Sequence, residues 1–202
     1  MTTKPSSDLD QARPTGKKEV MEALTQAANE LFGNLGPEAV SVRDVAAKAD
    51  VNHALVHRHF GTKENLLQAV LDEHARAFRS AMLLEDDFGG TLVRLFDVAT
   101  ERPAFTTIVA QLLLGGDAPN VFVAQEGGLK VLADKVSKGK SKPERERAVT
   151  VIAAAASLNL GWHLFAPFII HALDYDGDPE KMEAGIREIM RELAEKIPGP
   201  AE

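Results

Sequence analysis

Apolar residues recur every three or four positions along most of this chain, in runs long enough for helices. The first run begins at Lys17, and its apolar residues are Val20, Leu24, Ala27, Ala28, Leu31 and Phe32. Such spacing places the side chains on one face of an α-helix. No stretch alternates convincingly between apolar and polar residues at the period of two that a half-buried β-strand needs. The sequence therefore predicts an all-α protein.

Clusters of glycine, proline and short polar residues divide the chain into about nine helices. The first four begin near Lys17, Val42, Asn52 and Lys63, and the third of them ends at about His59. The remaining segments are predicted near residues 91–101, 104–114, 120–136, 144–173 and 179–197. Pro167 is expected to kink or interrupt the segment at 144–173, because proline removes a backbone hydrogen bond.

Composition narrows the class of protein. The 202 residues include no cysteine, which excludes disulfides and thiolate-held metals. The N-terminus has no apolar leader and no run of eighteen uncharged apolar residues occurs, so we expect a cytoplasmic protein that does not enter a membrane. Glycine-rich phosphate loops and a G-x-S-x-G motif are also missing. We therefore predict neither an enzyme nor a cofactor.

Two short helices joined by a tight connection stand at residues 42–49 and 52–59. Ser41 and Asp44 have the spacing of a capping box, and Asn52 is a good residue to precede the next helix. This is the helix-turn-helix pattern, whose second helix enters the major groove of DNA. We expect a mobile tail at residues 1–16, a helix-turn-helix domain at 17–65 and a helical domain at 66–202.

The second of these helices has an unusual charge pattern. The chain has a net charge of −7, yet the run from Val51 to Lys63 contains Arg58, three histidines and no carboxylate. Val51, Val56 and Phe60 provide a buried side, and small Ala54 permits close approach. This combination of a polar, cationic face and an apolar face is what insertion into a groove requires.

The stretch SVRDVAAKADVNHALVHRHFGTKENLL, with Phe32 to Gly36 before it, resembles the DNA-binding region of the TetR family of bacterial transcriptional regulators over about residues 17–70. The resemblance implies that Lys63 holds a phosphate. The residues implied to contact DNA are Arg43, His53, Ala54, Leu55, His57, Arg58, His59 and Lys63. Three positions depart from the pattern: Asp50 replaces a glycine of the turn, His57 a tyrosine, and Leu55 a threonine or serine.

The histidines permit two other interpretations. His53 and His57 are four residues apart, which is a spacing used by metal ligands, but His59 points elsewhere and two imidazoles alone make an incomplete site. The histidines could also be solvated surface residues with no role. We predict DNA contact and no metal.

Helix-turn-helix proteins usually dimerise to span two half-sites, and the last two helices suit a dimer interface. Residues 149–173 are apolar on nearly every side, and such a helix must be buried on every side. A central helix in a monomeric bundle would satisfy the same pattern. The residues predicted to form the interface of a homodimer are Val151, Ala155, Leu158, Ile186, Ile189, Met190 and Leu193.

The C-terminal half also places a few polar groups among large apolar ones, as in a ligand pocket or a packed core. The candidate effector-binding residues are Phe96, Phe105, Gln111, Asn159, Trp162, His163, Phe165 and Phe168. The resemblance implies that a small, largely apolar effector binds here and releases a repressor from double-stranded operator DNA. The alternative is a helical ligand-binding or structural protein that has lost DNA binding. Asp50 and Leu55 are the features that would fit this alternative.

Overall fold

A computed structural model describes residues 14–84, 87–116 and 128–196, and these residues form nine α-helices and no strand. The helices are α1 (Lys17–Leu35), α2 (Val42–Lys48), α3 (Ala54–Phe60), α4 (Lys63–Leu84), α5 (Phe88–Glu101), α6 (Pro103–Gly115), α7 (Gly128–Ser137), α8 (Lys142–Ala172) and α9 (Pro179–Glu195). The predicted all-α class is confirmed. Most of the predicted tail, and the first part of the helix predicted at 120–136, lie outside the described residues.

The structure differs from the prediction at the start of α5 and at Pro167. Helix α5 begins at Phe88 and not at 91, because the Asp87 side chain accepts a hydrogen bond from the Gly90 amide at 2.7 Å and so caps an earlier first turn. Helix α8 continues through Pro167 without interruption. The expected interruption at Pro167 is therefore wrong, and the alternative of a kink stays a prediction.

The first of two hydrophobic cores lies beneath helices α1 to α4. Its completely buried side chains include Leu24, Phe32, Val45, Val56 and Leu66. Helix α6 contributes Ile108 and Leu112 to the same core. The first core therefore extends beyond residue 65, where the sequence places the end of the helix-turn-helix domain.

The second core is formed mainly by α4, α5, α7, α8 and α9. Its buried residues include Phe96, Leu132, Ile152, Trp162 and Met190. An ion pair also joins α9 to α5, where Arg187 Nε lies 2.7 Å from Asp97 Oδ1. The stability of this region thus rests on apolar packing with a few polar links between helices.

Helix α8 remains unusually exposed for an apolar helix. Among the described residues it is the one helix long and apolar enough to cross a membrane, judged by length and composition alone, and only 28% of its most apolar stretch is buried. Phe165 and Phe168 are 54% and 69% exposed. In a single subunit, one side of α8 therefore lacks cover.

Candidate nucleic-acid interface

Helix α2 begins at the capping box predicted for Ser41 and Asp44. The Asp44 amide donates to Ser41 Oγ at 3.2 Å, while the Asp44 carboxylate accepts from the Ser41 hydroxyl at 2.6 Å and its amide at 2.9 Å. These hydrogen bonds from Ser41 hold the pKa of the Asp44 carboxyl below its usual value. Arg43, in the same first turn, is exposed. The cap thus fixes the helix that presents Arg43.

The turn between α2 and α3 has a left-handed backbone at Asp50. Its φ is 50°, and the next amide, that of Val51, donates to the Ala46 carbonyl at 3.0 Å. Aspartate tolerates this conformation better than most residues. Asn52 Oδ1 then accepts from the Ala54 amide at 2.9 Å. Asn52 therefore stabilises the start of α3, which begins two residues later than predicted.

The short helix α3 has one buried and one exposed side. Val56 is completely buried in the first core. His53, Ala54, His57 and Arg58 are exposed. The small side chain of Ala54 leaves space in which another molecule can approach the backbone. Four of the predicted contact residues are therefore available together on one surface.

Two other predicted contact residues are less available. Leu55 is half-buried and packs against the first core, and His59 is half-buried as well. Burial of apolar surface holds Leu55 in place. Leu55 thus supports α3 from the inside with part of its surface, and its contact with DNA stays a prediction.

The end of α3 orients the ring of His57. Its Nδ1 lies 3.0 Å from the Gly61 carbonyl oxygen. A carbonyl oxygen only accepts hydrogen bonds, so Nδ1 carries a proton in this contact. In neutral His57 this leaves Nε2 as an acceptor, which suits the amino group of adenine or cytosine in a major groove.

Lys63 begins α4, but its ammonium group has a partner within the chain. Nζ donates to the Pro37 carbonyl oxygen at 3.0 Å, and the side chain is half-buried. Thr62 caps the start of α4, because its hydroxyl oxygen accepts from the Asn65 amide at 3.2 Å. An ammonium has three protons, so two remain for another acceptor. The sequence carried no signal for Pro37, since the contact is made by a backbone carbonyl.

Lys48 of α2 is paired with α1. Its Nζ lies 2.7 Å from Glu30 Oε2, and this hydrogen bond holds the pKa of the Glu30 carboxyl below its usual value. Throughout residues 14–84, 87–116 and 128–196, no group of three or more histidine, cysteine or carboxylate side chains is arranged to hold a metal ion. His53 and His57 have no third ligand beside them in the described chain.

Four of the predicted effector residues lie in the second core or at its edge. Phe96 and Trp162 are buried. The His163 ring lies 4.7 Å from that of Phe96, and its nitrogens contact the Thr100 hydroxyl at 2.9 Å and the Asn159 carbonyl at 2.8 Å. Asn159 Oδ1 is buried and lacks a hydrogen-bond partner among the described residues. A buried acceptor without a partner costs about 1–3 kcal/mol, so it would be stabilised by a donor.

The other four predicted effector residues lie elsewhere. Phe105 and Gln111 are on the side of α6 that faces α1 and α4. Phe165 and Phe168 are on the outer side of α8. The eight residues are thus divided among three places, because α6 and α8 each turn different faces toward different neighbours.

A groove of about 560 Å³ opens between α1 and α4, and none of the predicted effector residues lines it. Its lining residues are Lys17, Lys18, Met21, Glu22, Thr25, Phe60, Ala69, Asp72, Glu73 and Arg76. The charges of both signs around this groove do not favour one class of ligand.

His74 connects α4 to α1 and was not identified from the sequence. It is 3% exposed, and its Nε2 donates a hydrogen bond to Asn29 Oδ1 at 2.7 Å. Burial, together with the positive charge of Arg102, lowers the pKa of His74 from 6.5 to about 4. The available signal was its place on the apolar face of α4, three residues after Leu71 and four before Phe78.

The residues predicted to form a dimer interface lie mostly within the subunit. Val151, Ala155 and Met190 are buried there, so they offer no side chain to a partner. Leu158, Ile186 and Leu193 pack partly against the second core, whereas Ile189 is 46% exposed. The prediction is corrected for the three buried residues, because the sequence pattern could not tell which face of each helix was covered by its own chain. The assignment of a dimer interface to α8 and α9 stays a prediction.

Comparison with known proteins identifies the family. Residues 24–70 match the model of bacterial regulatory proteins of the tetR family. The HTH-type transcriptional repressor Rv3405c of Mycobacterium tuberculosis H37Rv is 36% identical over 176 residues, a match that covers 87% of this chain and 88% of that protein. This chain belongs to the TetR family. It is a transcriptional regulator, and the predicted family is confirmed.

Solved structures agree with this TetR-family assignment at the level of fold. The protein SCO4942 from Streptomyces coelicolor has a TM-score of 0.66 at 22% identity, over 87% of this chain and 96% of that one. The multidrug binding protein EbrR, complexed with imidazole, has a TM-score of 0.57 at 21% identity, over 90% and 96%. TetR-family relatives are DNA-binding regulators and not enzymes.

Proposed function

We propose that this TetR-family regulator is a repressor that binds double-stranded operator DNA as a homodimer and leaves it when a small, largely apolar effector binds. The observation that carries this proposal is the division of α3. Val56 is completely buried, whereas His53, His57 and Arg58 are exposed. A helix held this way can enter the major groove while the core beneath it stays intact.

The exposed residues would have different roles in DNA recognition. Arg58 and Arg43 have the geometry and charge to bind phosphate or guanine. His57, with Nε2 free to accept, and His53 would contribute to the choice of base pair. Lys63 would bind a phosphate with the two protons that Pro37 leaves free. Contacts to the DNA backbone would supply most of the affinity, and contacts from the histidines to base edges would supply the sequence specificity.

A protein that has lost DNA binding is the weaker interpretation. Asp50 adopts the left-handed turn that the motif needs, and Leu55 is half-buried against the core. Neither departure from the family pattern removes the exposed surface of α3. Both residues therefore remain compatible with a working helix-turn-helix.

The outer side of α8 supports a second copy as the partner. Val149, Phe165 and Phe168 are all at least half exposed, and Ile189 on α9 is 46% exposed. Large exposed apolar patches commonly mark interaction sites. Dimerisation would cover this side of α8 and place two α3 helices on one operator, with half-sites about 34–36 Å apart.

Repression and effector release are proposed from the relatives. Rv3405c, which is 36% identical, is named a repressor, and EbrR is named a multidrug binding protein. In this chain, the buried Asn159 oxygen lies among apolar helices and has no described partner. An effector that is largely apolar and carries one hydrogen-bond donor would suit that environment.

Binding to the DNA upstream of the regulator's own gene tests the proposal. Fluorescence anisotropy should give an affinity for this duplex that is much higher than for a scrambled duplex. It should fall about 10³–10⁵-fold between 50 and 200 mM salt if six to ten phosphates are contacted. Equal binding to both duplexes at every salt concentration would reject operator recognition. Candidate effectors that bind the protein should lower operator affinity, and a panel of bound compounds without this effect would reject release.

A further inference from the structure

Helix α6 is built into the core that lies beneath the DNA-binding helices. Ile108 is completely buried and Leu112 is 7% exposed, and both belong to the same apolar cluster as Phe32 and Val56. The side of α6 that carries them therefore contacts α1 and not solvent. A displacement of α6 cannot occur without a response from this core, because protein interiors are close-packed.

The contact between α1 and α6 has no spare room at Gly33. A Cβ atom added there would lie 2.6 Å from the Ala104 Cβ and 2.9 Å from its Cα. The backbones of the two helices are thus in direct contact. Helix α6 has no clearance in which to move toward α1 at this point.

A second close contact lies just beyond the end of α1. Gly36 is buried and has a φ of 88°, and a Cβ atom there would lie 2.1 Å from Gln111 Oε1. The Gln111 side chain therefore packs directly on the Gly36 backbone. The next residue, Pro37, is the one whose carbonyl oxygen accepts from Lys63 Nζ at 3.0 Å.

We propose that Gln111 is a positioning residue for Lys63. Gln111 presses on Gly36, which sets the place of the Pro37 carbonyl, and this carbonyl holds one proton of the Lys63 ammonium. The remaining two protons are then directed at a phosphate without loss of further rotamer freedom. This inference rests on the proposed role of Lys63 in DNA binding. It makes the position of α6 a determinant of one DNA contact.

The variant Gln111→Ala tests the proposal in the full-length protein, and Leu113→Ala is its matched control. Leu113 is on the same helix and 52% exposed. We expect Gln111→Ala to lower operator affinity several-fold and to reduce the slope of log affinity against log salt by up to about 0.9, the value for one phosphate contact. Leu113→Ala should change neither.

A double-mutant cycle tells whether Gln111 acts through Lys63. Against a Lys63→Ala background, Gln111→Ala should have no further effect on operator affinity. An equal loss in both backgrounds would overturn the proposal, as would no loss in the wild-type background. If Lys63→Ala itself leaves affinity and salt slope unchanged, the proposed phosphate contact fails.

Chemical labelling tests the positioning without DNA. The rate of acetylation of each lysine by an N-hydroxysuccinimide ester can be followed by mass spectrometry, with the 89% exposed side chain of Lys18 as an internal reference. Lys63 should react several-fold faster in Gln111→Ala than in the wild type, because its tether to Pro37 is loosened. An unchanged ratio of Lys63 to Lys18 labelling would overturn the positioning role, whatever DNA binding shows.

Discussion

The two hydrophobic cores of this chain differ in what covers their helices. Over the first core, α3 buries Val56 and exposes His53, His57 and Arg58, so its outer side is polar. Over the second, α8 buries Trp162 and exposes Phe165, so its outer side is still apolar. The first region thus buries its apolar side chains within one subunit and exposes a polar surface. The second region leaves apolar side chains of α8 in contact with water, and covering them would be favourable.

This difference indicates how the two ends of a TetR-family chain can serve different partners. A polar surface over a finished core is well hydrated when no partner is bound, so the subunit does not need a partner to cover it. An apolar surface is stabilised only while it is covered. The following predictions probe the contrast, beginning with the largest effect.

Charge introduced on the outer side of α8 should separate the subunits of the proposed homodimer. Phe168→Glu places a carboxylate on a residue that is 69% exposed in one subunit, and we expect the dimer dissociation constant to rise by about 30-fold to 1,000-fold, or about 2–4 kcal/mol. Sedimentation velocity measures this change. Leu35→Glu is the control, at an apolar residue 60% exposed near the first core. A wild-type chain that is monomeric at micromolar concentration would remove the contrast between the two regions.

His74 should make stability depend on pH at the boundary of the first core. Its folded pKa of about 4 lies below the value of 6.5 for the free group. As pH falls from 7 to 4, the unfolded state takes up a proton that the folded state resists, so stability decreases. The loss approaches about 3 kcal/mol at pH 4.

Urea unfolding of the wild type and of His74→Gln, measured from pH 7 to pH 4, isolates this contribution from that of the carboxylates. The wild type should lose more stability than the variant over this range, and the two should run parallel above pH 7. His53→Gln, at an exposed histidine, is the control. Identical pH profiles for wild type and His74→Gln would mean that water reaches His74.

A methyl group at Gly33 should weaken the junction between the regions. Gly33→Ala brings a Cβ within 2.9 Å of the Ala104 backbone, so a shift of α6 is required, at a cost of about 1–3 kcal/mol. Thermal unfolding measures the loss. Asn34→Ala, at the exposed neighbouring residue, should be close to neutral. Equal stability of the two variants would show that the helices separate easily.

Arg58 should affect DNA binding without affecting stability. Arg58→Ala should reduce operator affinity about tenfold, which corresponds to about 1.4 kcal/mol, and lower the salt slope by up to about 0.9. The unfolding temperature should not change, because the side chain is exposed. Lys181→Ala, at an exposed cation on α9, is the control. A similar loss in both variants would indicate attraction by overall charge and not by α3.

The extent to which sequence predicts structure also differs between the two regions. The helix-turn-helix could be predicted closely because its signals are local: Ser41 and Asp44 form their capping box, Asp50 adopts the left-handed turn, and Thr62 caps α4. The partial burial of Leu55 was not predicted, because a seven-residue helix has too few positions to define which side chain turns inward.

In the second region, the pattern predicted helices but not their neighbours. Helix α8 is apolar on nearly every side, so its sequence could not tell that Val151 and Ala155 face their own subunit while Phe165 faces outward. Contacts made through backbone atoms, such as Lys63 to Pro37, leave no mark in side-chain identity. Which side chains face the core and which backbone atoms are contacted depends on tertiary packing, and the local periodicity of the sequence does not determine it.

The left-handed backbone at Asp50 has a consequence for how this regulator can evolve. Aspartate codons are one nucleotide away from codons for asparagine and glycine, and these residues adopt a positive φ with the least strain. The point mutations to asparagine and glycine are therefore expected to preserve the turn between α2 and α3. If α3 reads the operator as proposed, its exposed residues can be replaced one at a time while the turn that positions α3 is retained.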